Sequence, residues 1–279
     1  MADLDLDKPL TGSTAIVVGA TTSVGRAVAA HLARSGATLA LADVGGSPAH
    51  PLADVAEELR GLGQDPVLAE LAPRDTEAFH RFVQSVVERH GPPSVLVTVP
   101  SISRPVTADE MTDGDWSAGV DGSLSAAYCA YRAVLPHLEA AGRGRIVSVT
   151  GDEGRRGAAG ASHTAAGAWA VIGLAKSAAL EMAAADIAVN VVTSTAVADE
   201  RWQDEAHCRH ALAAAGVGDA VADADGAAEA LGLRHPTTRP FVEPDAVARA
   251  VLMFVLQPDN TMTGSVLDLS QGMAALNTA

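Results

Sequence analysis

The sequence predicts an α/β protein built on a doubly wound parallel sheet. Short β-branched apolar segments alternate with amphipathic helical segments along the chain of 279 residues, 48% of the residues are hydrophobic, and a glycine-containing turn follows the first apolar segment. Because the alternation is regular, we expect one domain over residues 1–279 rather than two.

Seven apolar segments are short and rich enough in β-branched residues to form buried strands. They are residues 14–18, 38–42, 66–71, 94–99, 145–149, 187–192 and 265–269. Helical periodicity marks residues 24–35, 52–62, 76–90, 116–141, 164–184 and 245–256. Residues 198–242 depart from this rhythm because they are rich in Ala and Asp and interrupted by glycines, so we expect a lid of one or two short helices there.

Composition excludes several kinds of partner. A formal net charge of −15 disfavours nucleic acid and anionic membranes, because phosphate binding depends on clustered Lys and Arg. Two cysteines are too few for a disulfide framework, and no metal site is expected. The first ten residues lack a basic and apolar leader pattern, and no later apolar run has the length of a membrane span, so we expect a cytoplasmic protein.

The turn after the first predicted strand reads VGATTSVG from Val18 to Gly25. Glycines at such a turn allow a tight bend and a close approach of a pyrophosphate to the helix N-terminus. Gly19 and Gly25 are in place, and Ser23 stands where a third glycine is expected. The turn resembles the Thr-Gly-x-x-x-Gly-x-Gly motif of the short-chain dehydrogenase/reductase (SDR) family.

This resemblance extends from about Leu10 to Met273 and implies a Rossmann-like sheet with the lid over a substrate pocket. Further matches occur in order at residues 86–91, 132–136, 144–147, 173–177, 189–190 and 263–267. In the family, an acid at the end of the second strand binds the adenosine ribose, and Asp43 has that position. Asp43 therefore favours NAD over NADP, if a dinucleotide binds.

The catalytic positions of the family are occupied by other residues. The family places an Asn in the fourth helix, a Ser after the fifth strand, and Tyr-x-x-x-Lys in the next helix; the aligned residues are Ser123, Gly151, Thr164 and Ala168. A threonine hydroxyl is far less acidic than a phenol, and alanine supplies no charge to favour a phenolate. The resemblance therefore predicts that the chain is not a dehydrogenase of the usual Tyr-Lys type.

Other cofactor loops also differ from the family. Residues 72–73, 98–101 and 194–195 lack the family's Asp-Val, Asn-Asn-Ala-Gly and Pro-Gly sequences. Because binding contacts are lost in several places, we expect no cofactor or weakly bound NAD.

Three residues near the altered positions could replace the missing acid/base. A histidine beside carboxylates can transfer protons in a reaction without hydride transfer, which makes His163, Asp152 and Glu153 candidates. The alternative is that His163 points away from the pocket and that Asp152 and Glu153 are solvated loop charges.

These observations leave functions of different classes. The hypothesis that the sequence favours is a non-catalytic (pseudoenzyme) subunit that forms a homo-oligomer, or a hetero-oligomer with an active SDR, through its well-patterned fourth and fifth helices. The alternative is a repurposed SDR-fold enzyme that catalyses a cyclisation, elimination or isomerisation on a small apolar metabolite. An NAD-dependent oxidoreductase is the third and least favoured hypothesis.

Overall fold

A computed structural model of the chain describes residues 8–45, 50–100, 104–214 and 223–276. One parallel sheet runs through it in the order β3-β2-β1-β4-β5-β6-β7. The strands are β1 (Thr14–Val18), β2 (Thr38–Asp43), β3 (Val67–Glu70), β4 (Val95–Thr98), β5 (Gly144–Gly151), β6 (Ile187–Ser194) and β7 (Val266–Leu269). Since the strand order reverses between β1 and β4, the sheet is doubly wound, and the predicted fold class is confirmed.

The described residues form nine α-helices, most of which pack on the two faces of the sheet. They are α1 (Ser23–Arg34), α2 (Leu52–Arg60), α3 (Thr76–His90), α4 (Asp113–Val120), α5 (Ala126–Ala141), α6 (Ser162–Met182), α7 (Glu205–Ala214), α8 (Ala224–Arg234) and α9 (Pro244–Val255). Val28, Leu32 and Phe254 belong to the apolar layer of α1 and α9 on one face, and Phe79 and Leu138 to the layer of α3, α5 and α6 on the other. The strands between these layers read as nearly continuous apolar runs because both of their faces are buried.

The predicted strands and five of the six predicted helices end within two residues of the observed elements. The exception is the segment predicted as one helix over residues 116–141. It begins earlier, because the Thr112 side chain and Asp115 form a reciprocal capping box, and a π-helical turn (Asp121–Ser125) divides it into α4 and α5. The Ser123 hydroxyl donates to the Gly119 carbonyl at 2.7 Å, which is typical of a side chain that perturbs the local helical ladder.

The predicted lid contains a short 3-10 turn (Glu200–Gln203) followed by α7 and α8. A parallel bridge between Val197 and Val242 joins its two ends, and the Trp202 indole donates to the Val197 carbonyl at 2.8 Å. Trp202, Cys208 and Ala227 form a small apolar centre of their own. Residues 215–222, with two of the lid's glycines, lie outside the described residues, as does Ser101.

One described helix is long and apolar enough to span a membrane by length and composition alone. It runs from Ser162 to Ala185, where a 3-10 turn extends α6, and an 18-residue window within it has a mean hydropathy of 1.3. The expectation that no segment reaches this length is therefore wrong. Ile172, Ala175 and Ala179 of this helix pack in the apolar layer against the sheet, as a core helix of this fold does.

Candidate active site

Two glycines shape the turn between β1 and α1. Gly19 has φ of +82°, a left-handed conformation that side chains disfavour. A β-carbon on Gly19 would lie 2.1 Å from the Val99 carbonyl oxygen, and one on Gly25 would lie 2.1 Å from the Gly19 carbonyl oxygen. The turn can therefore pack against the residue that follows β4 only if position 19 lacks a side chain, and α1 can pack on the turn only if position 25 lacks one.

The N-terminus of α1 offers backbone donors beside this turn. Thr22 is the N-cap, and its hydroxyl accepts a hydrogen bond from the Gly25 N–H at 2.9 Å. Among the hydrogen bonds of the described residues, none is donated by the N–H of Ser23 or Val24. Two N–H groups and the positive end of the helix dipole are thus available to an anion such as a pyrophosphate.

Asp43 ends β2 next to the same turn and is 5% exposed. Its Oδ1 accepts hydrogen bonds from the backbone N–H of Thr21 at 3.2 Å and from the Thr21 hydroxyl at 2.7 Å. The carboxylate therefore fixes the turn in addition to lying where a ribose-binding acid is expected. Gly19, Ser23, Gly25 and Asp43, the four cofactor residues predicted from sequence, are brought together by the fold.

The tyrosines do not supply a replacement phenol at the site. Tyr131 is buried, and its hydroxyl lies 2.9 Å from the Ser148 hydroxyl, which in turn lies 2.7 Å from that of Thr98. Burial raises the pKa of Tyr131 to about 12, so that it stays protonated at neutral pH. Tyr128 lies on the surface, 45% exposed.

The hydroxyls at two aligned catalytic positions are used by nearby backbone. The Thr164 hydroxyl donates to the Ala161 carbonyl at 3.0 Å, and Ser123 donates to Gly119. Ala168 is buried, and a β-carbon on Gly154 would lie 3.0 Å from the Ala168 β-carbon. The short turn after β5 therefore packs directly on α6.

His163 is fully buried. A β-carbon on Gly119 would lie 2.4 Å from its Cδ2 atom, so the imidazole is enclosed where α4 meets α6. Because the ring is fully buried, the structure does not support the hypothesis that His163 transfers protons beside the carboxylates.

Glu153 has a position that the sequence pattern did not reveal. A β-carbon on Gly151 would lie 1.9 Å from Oε2 and 2.4 Å from Oε1 of Glu153. The carboxyl group therefore occupies the space that a side chain at position 151 would take. Burial raises the pKa of this carboxyl and the negative charge of Asp152 raises it further, whereas a hydrogen bond from the backbone N–H of Glu153 and the charges of Arg201 and Arg156 oppose the shift.

Asp152 adds a second partly buried carboxyl. Its Oδ2 accepts a hydrogen bond from Nε of Arg156 at 2.6 Å, and its side chain is 14% exposed. Burial raises its pKa in spite of Arg156, and the charge of Asp268 on β7 acts in the same direction. The interpretation of Asp152 and Glu153 as solvated loop charges is therefore wrong, since the 3-10 turn (Asp152–Gly154) folds inward. Carboxyls with a raised pKa at the carboxyl end of a parallel strand are candidates for a functional site.

Comparison with known proteins defines the class. Residues 13–207 match the short chain dehydrogenase family, and the chain belongs to this family.

The relatives span most of the chain. A 3-oxoacyl-[acyl-carrier-protein] reductase FabG of Thermotoga maritima is 27% identical over 95% of this chain and 98% of its own length. The (2S)-[(R)-hydroxy(phenyl)methyl]succinyl-CoA dehydrogenase subunit BbsC of Thauera aromatica is 36% identical over 65% of this chain and 71% of its own length. The crystal structure of carveol dehydrogenase from Mycobacterium avium in complex with NAD is similar with a TM-score of 0.86 and 25% identity, covering 95% of this chain and 99% of that chain.

These relatives overturn the favoured hypothesis of a non-catalytic subunit, because they are named as reductases and dehydrogenases and one is bound to NAD. They point to redox chemistry, and the non-redox alternative is wrong for the same reason. The expectation of absent or weak NAD binding is not confirmed. Different residues at the aligned catalytic positions therefore do not exclude redox chemistry in this family.

Proposed function

We propose that the chain is an NAD-dependent oxidoreductase that interconverts a hydroxyl and a carbonyl group on a small substrate. The observation that carries this proposal is the β1–α1 turn, where a left-handed Gly19 and the unused N–H groups of Ser23 and Val24 stand beside Asp43. Relatives named for oxo and hydroxy compounds support the reaction type.

The residues present fit a dinucleotide. The N–H groups of Ser23 and Val24 would bind the pyrophosphate, and Asp43 would accept hydrogen bonds from the adenosine ribose. A carboxylate at that place repels a 2′-phosphate, so we propose NAD rather than NADP. When bound, NAD supplies the hydride acceptor or donor.

The chain departs from the usual Tyr-Lys pattern within this function. Thr164 and Ser123 donate their hydroxyl protons to backbone carbonyls, and Ala168 carries no charge. We therefore propose that it is a divergent member of the family, in which proton transfer depends on a group outside these positions.

The segment 198–242 is proposed to close over the substrate. Its apolar centre contains Trp202, whose ring lies 4.7 Å from that of Phe241, centroid to centroid. The charge of Arg201 acts on the carboxyl of Glu153, so the start of the lid lies near the end of β5.

Self-association is a further part of the proposal. The outer faces of α5 and α6 expose Tyr128, Trp169 and Leu180, the last at 84%, and such apolar surface is commonly buried between subunits. We propose a cytoplasmic homo-oligomer that uses these helices. Light scattering of the wild type and of Leu180→Glu tests it: a smaller oligomer is expected for the variant, and a wild-type monomer, or assembly only after mixing with an active SDR, would contradict it.

Cofactor binding gives the first test of the function. NADH at a hundred times its dissociation constant should raise the free energy of unfolding by about 2.7 kcal/mol. Thermal melts with NADH and NADPH measure this, with the larger shift expected for NADH. Turnover is then followed by NADH absorbance with a panel of ketones and secondary alcohols. No stabilisation by either nucleotide, together with no turnover, would overturn the proposal.

A further inference from the structure

The position of the Glu153 carboxyl is the most informative unassigned feature at the carboxyl end of the sheet. Its two oxygens lie 1.9 and 2.4 Å from where a β-carbon of residue 151 would be. This place follows β5 directly, at the edge where parallel strands end and where ligands of doubly wound sheets bind. A carboxyl group therefore occupies the space vacated by the missing side chain of Gly151.

The backbone around Glu153 holds this arrangement. Glu153 is the middle residue of the 3-10 turn (Asp152–Gly154), and the following residue, Gly154, is packed against Ala168 and Ile172 of α6. The N–H of Arg155 closes the turn on the Asp152 carbonyl at 2.8 Å. A turn fixed at both ends directs the side chain between them back toward β5.

Glu153 is partly buried, and its carboxyl accepts a hydrogen bond from its own backbone N–H but has no close cation in the part of the chain that the structure describes. Within the described residues, Glu153 forms no ion pair within 4.0 Å, because Arg156 pairs with Asp152 and Arg201 pairs with Asp199. A buried carboxylate without a close cation lowers stability, and such placements are typical of groups kept for chemistry.

We propose that Glu153 is the acid/base of the reaction and exchanges a proton with the reacting oxygen of the substrate. This inference rests on the proposed oxidoreductase function. In the oxidation, the substrate O–H bond breaks and its proton passes to a carboxylate oxygen of Glu153. The carbon–oxygen double bond forms as the carbon-bound hydrogen leaves with its electron pair as hydride, for which the oxidised dinucleotide is the acceptor. Glu153 then releases the proton to water, and the reduction follows the same steps in reverse.

The elevated pKa of Glu153 suits this role. A carboxyl with an ordinary pKa is almost fully ionised at neutral pH and is a poor acid in the reduction. Burial and the neighbouring Asp152 raise its pKa against its own backbone N–H and the charges of Arg201 and Arg156, so more of the carboxyl is protonated at a given pH. The same carboxyl can then serve as base in one direction and as acid in the other.

The test compares Glu153→Gln with a matched control, Glu88→Gln. Glu88 is exposed near the end of α3, at the opposite edge of the sheet. Glu153→Gln should lower kcat by about a hundredfold or more, the usual contribution of a general acid/base, while stabilisation by NADH is unchanged. Glu88→Gln should behave as the wild type in both assays.

A second readout needs no activity. The folded-state pKa of Glu153 is raised, so its carboxyl stabilises the fold at low pH and this contribution is lost as pH rises through the folded pKa. Glu153→Gln has no carboxyl at this position, so its stability does not include this pH-dependent decrease. The stability of Glu153→Gln relative to wild type should therefore increase between pH 4 and pH 8 in denaturant titrations of the cofactor-free protein, whereas that of Glu88→Gln should not.

The outcomes separate the inference from the proposed function. A wild type without turnover or NADH binding overturns the oxidoreductase and the role of Glu153 with it. A wild type that turns over while Glu153→Gln keeps full kcat overturns only the role of Glu153. A relative stability of Glu153→Gln that does not change with pH also overturns it. If Glu153→Gln does not fold, Glu153→Asp replaces it, with a lowered kcat expected and an unchanged kcat overturning the inference.

Discussion

The turn at the end of β1 and the turn at the end of β5 differ in the kind of group that each is predicted to use. At β1 the groups expected to bind a ligand are backbone N–H groups, so Ser23 in place of a glycine leaves the donors intact. At β5 the expected groups are side chains, and each aligned position carries another residue. A site that binds a ligand through backbone N–H groups tolerates side-chain substitutions. A site whose reaction depends on a side chain needs another residue to supply the reactive group when the original is lost. We propose that in this chain Glu153, whose carboxyl lies beside Gly151, supplies the acid/base function.

The largest expected effect tests whether the first turn depends on its backbone. Gly19→Ala should cost more than about 3 kcal/mol of folding stability or prevent folding, because it combines a left-handed φ with a β-carbon 2.1 Å from a carbonyl oxygen. Gly12→Ala is the control, since Gly12 has the same φ of +82° but nothing within 4 Å of the added carbon. It should cost only about 1–2 kcal/mol by denaturant titration. Equal losses of folding stability in the two variants would show that the close contact with the Val99 carbonyl has no effect.

The second prediction concerns the turn after β5. Gly151→Ala should displace the Glu153 carboxyl and lower kcat by about ten- to a hundredfold, with a stability change below about 1 kcal/mol because the displaced group is a flexible side-chain end. Gly157→Ala is the control, since nothing lies within 4 Å of its added carbon. Steady-state kinetics and chemical denaturation measure both quantities. If Gly151→Ala leaves kcat unchanged, the location of the carboxyl has no catalytic meaning.

The third prediction separates the two roles of Asp43. Asp43→Asn should weaken NADH binding by about tenfold and reduce the preference over NADPH, since a charged acceptor is lost from the ribose site. Thr21→Val removes the 2.7 Å hydroxyl contact but leaves the carboxylate, so it should loosen the turn without changing nucleotide preference. Fluorescence titration with both nucleotides provides the comparison. An unchanged preference in Asp43→Asn would remove Asp43 from the proposed site.

The smallest expected effect concerns the buried hydroxyls between the two turns. Tyr131→Phe should cost about 1 kcal/mol, the value of one hydrogen bond, and leave kcat unchanged. The folded pKa of Tyr131 is about 12, above an ordinary tyrosine near 10, so the folded state keeps a proton that the unfolded chain loses. Wild-type stability should fall more steeply than that of Tyr131→Phe between pH 10 and pH 12. Parallel curves would indicate that the phenol is not buried.

Much of the fold follows from local sequence patterns. The strand β1 and the helix α3 end at the predicted residues, because apolar periodicity and caps are properties of neighbouring residues. The glycine turn was predictable for the same reason. The division of residues 116–141 by a π-helical turn was not, since it depends on how Ser123 bonds to the preceding turn of helix.

The sequence by itself determined the order of strands and helices along the chain and the family, and it predicted that Tyr and Lys are absent from their usual positions. Only the tertiary structure decided what fills the altered site. His163 and Glu153 are both ionisable residues near the same helix, and nothing in their spacing tells them apart. Packing encloses His163 against Gly119, whereas the contact of Gly154 with Ala168 turns Glu153 back into the space beside Gly151. The direction of a side chain depends on the path of the backbone and on distant contacts, which a linear pattern does not contain.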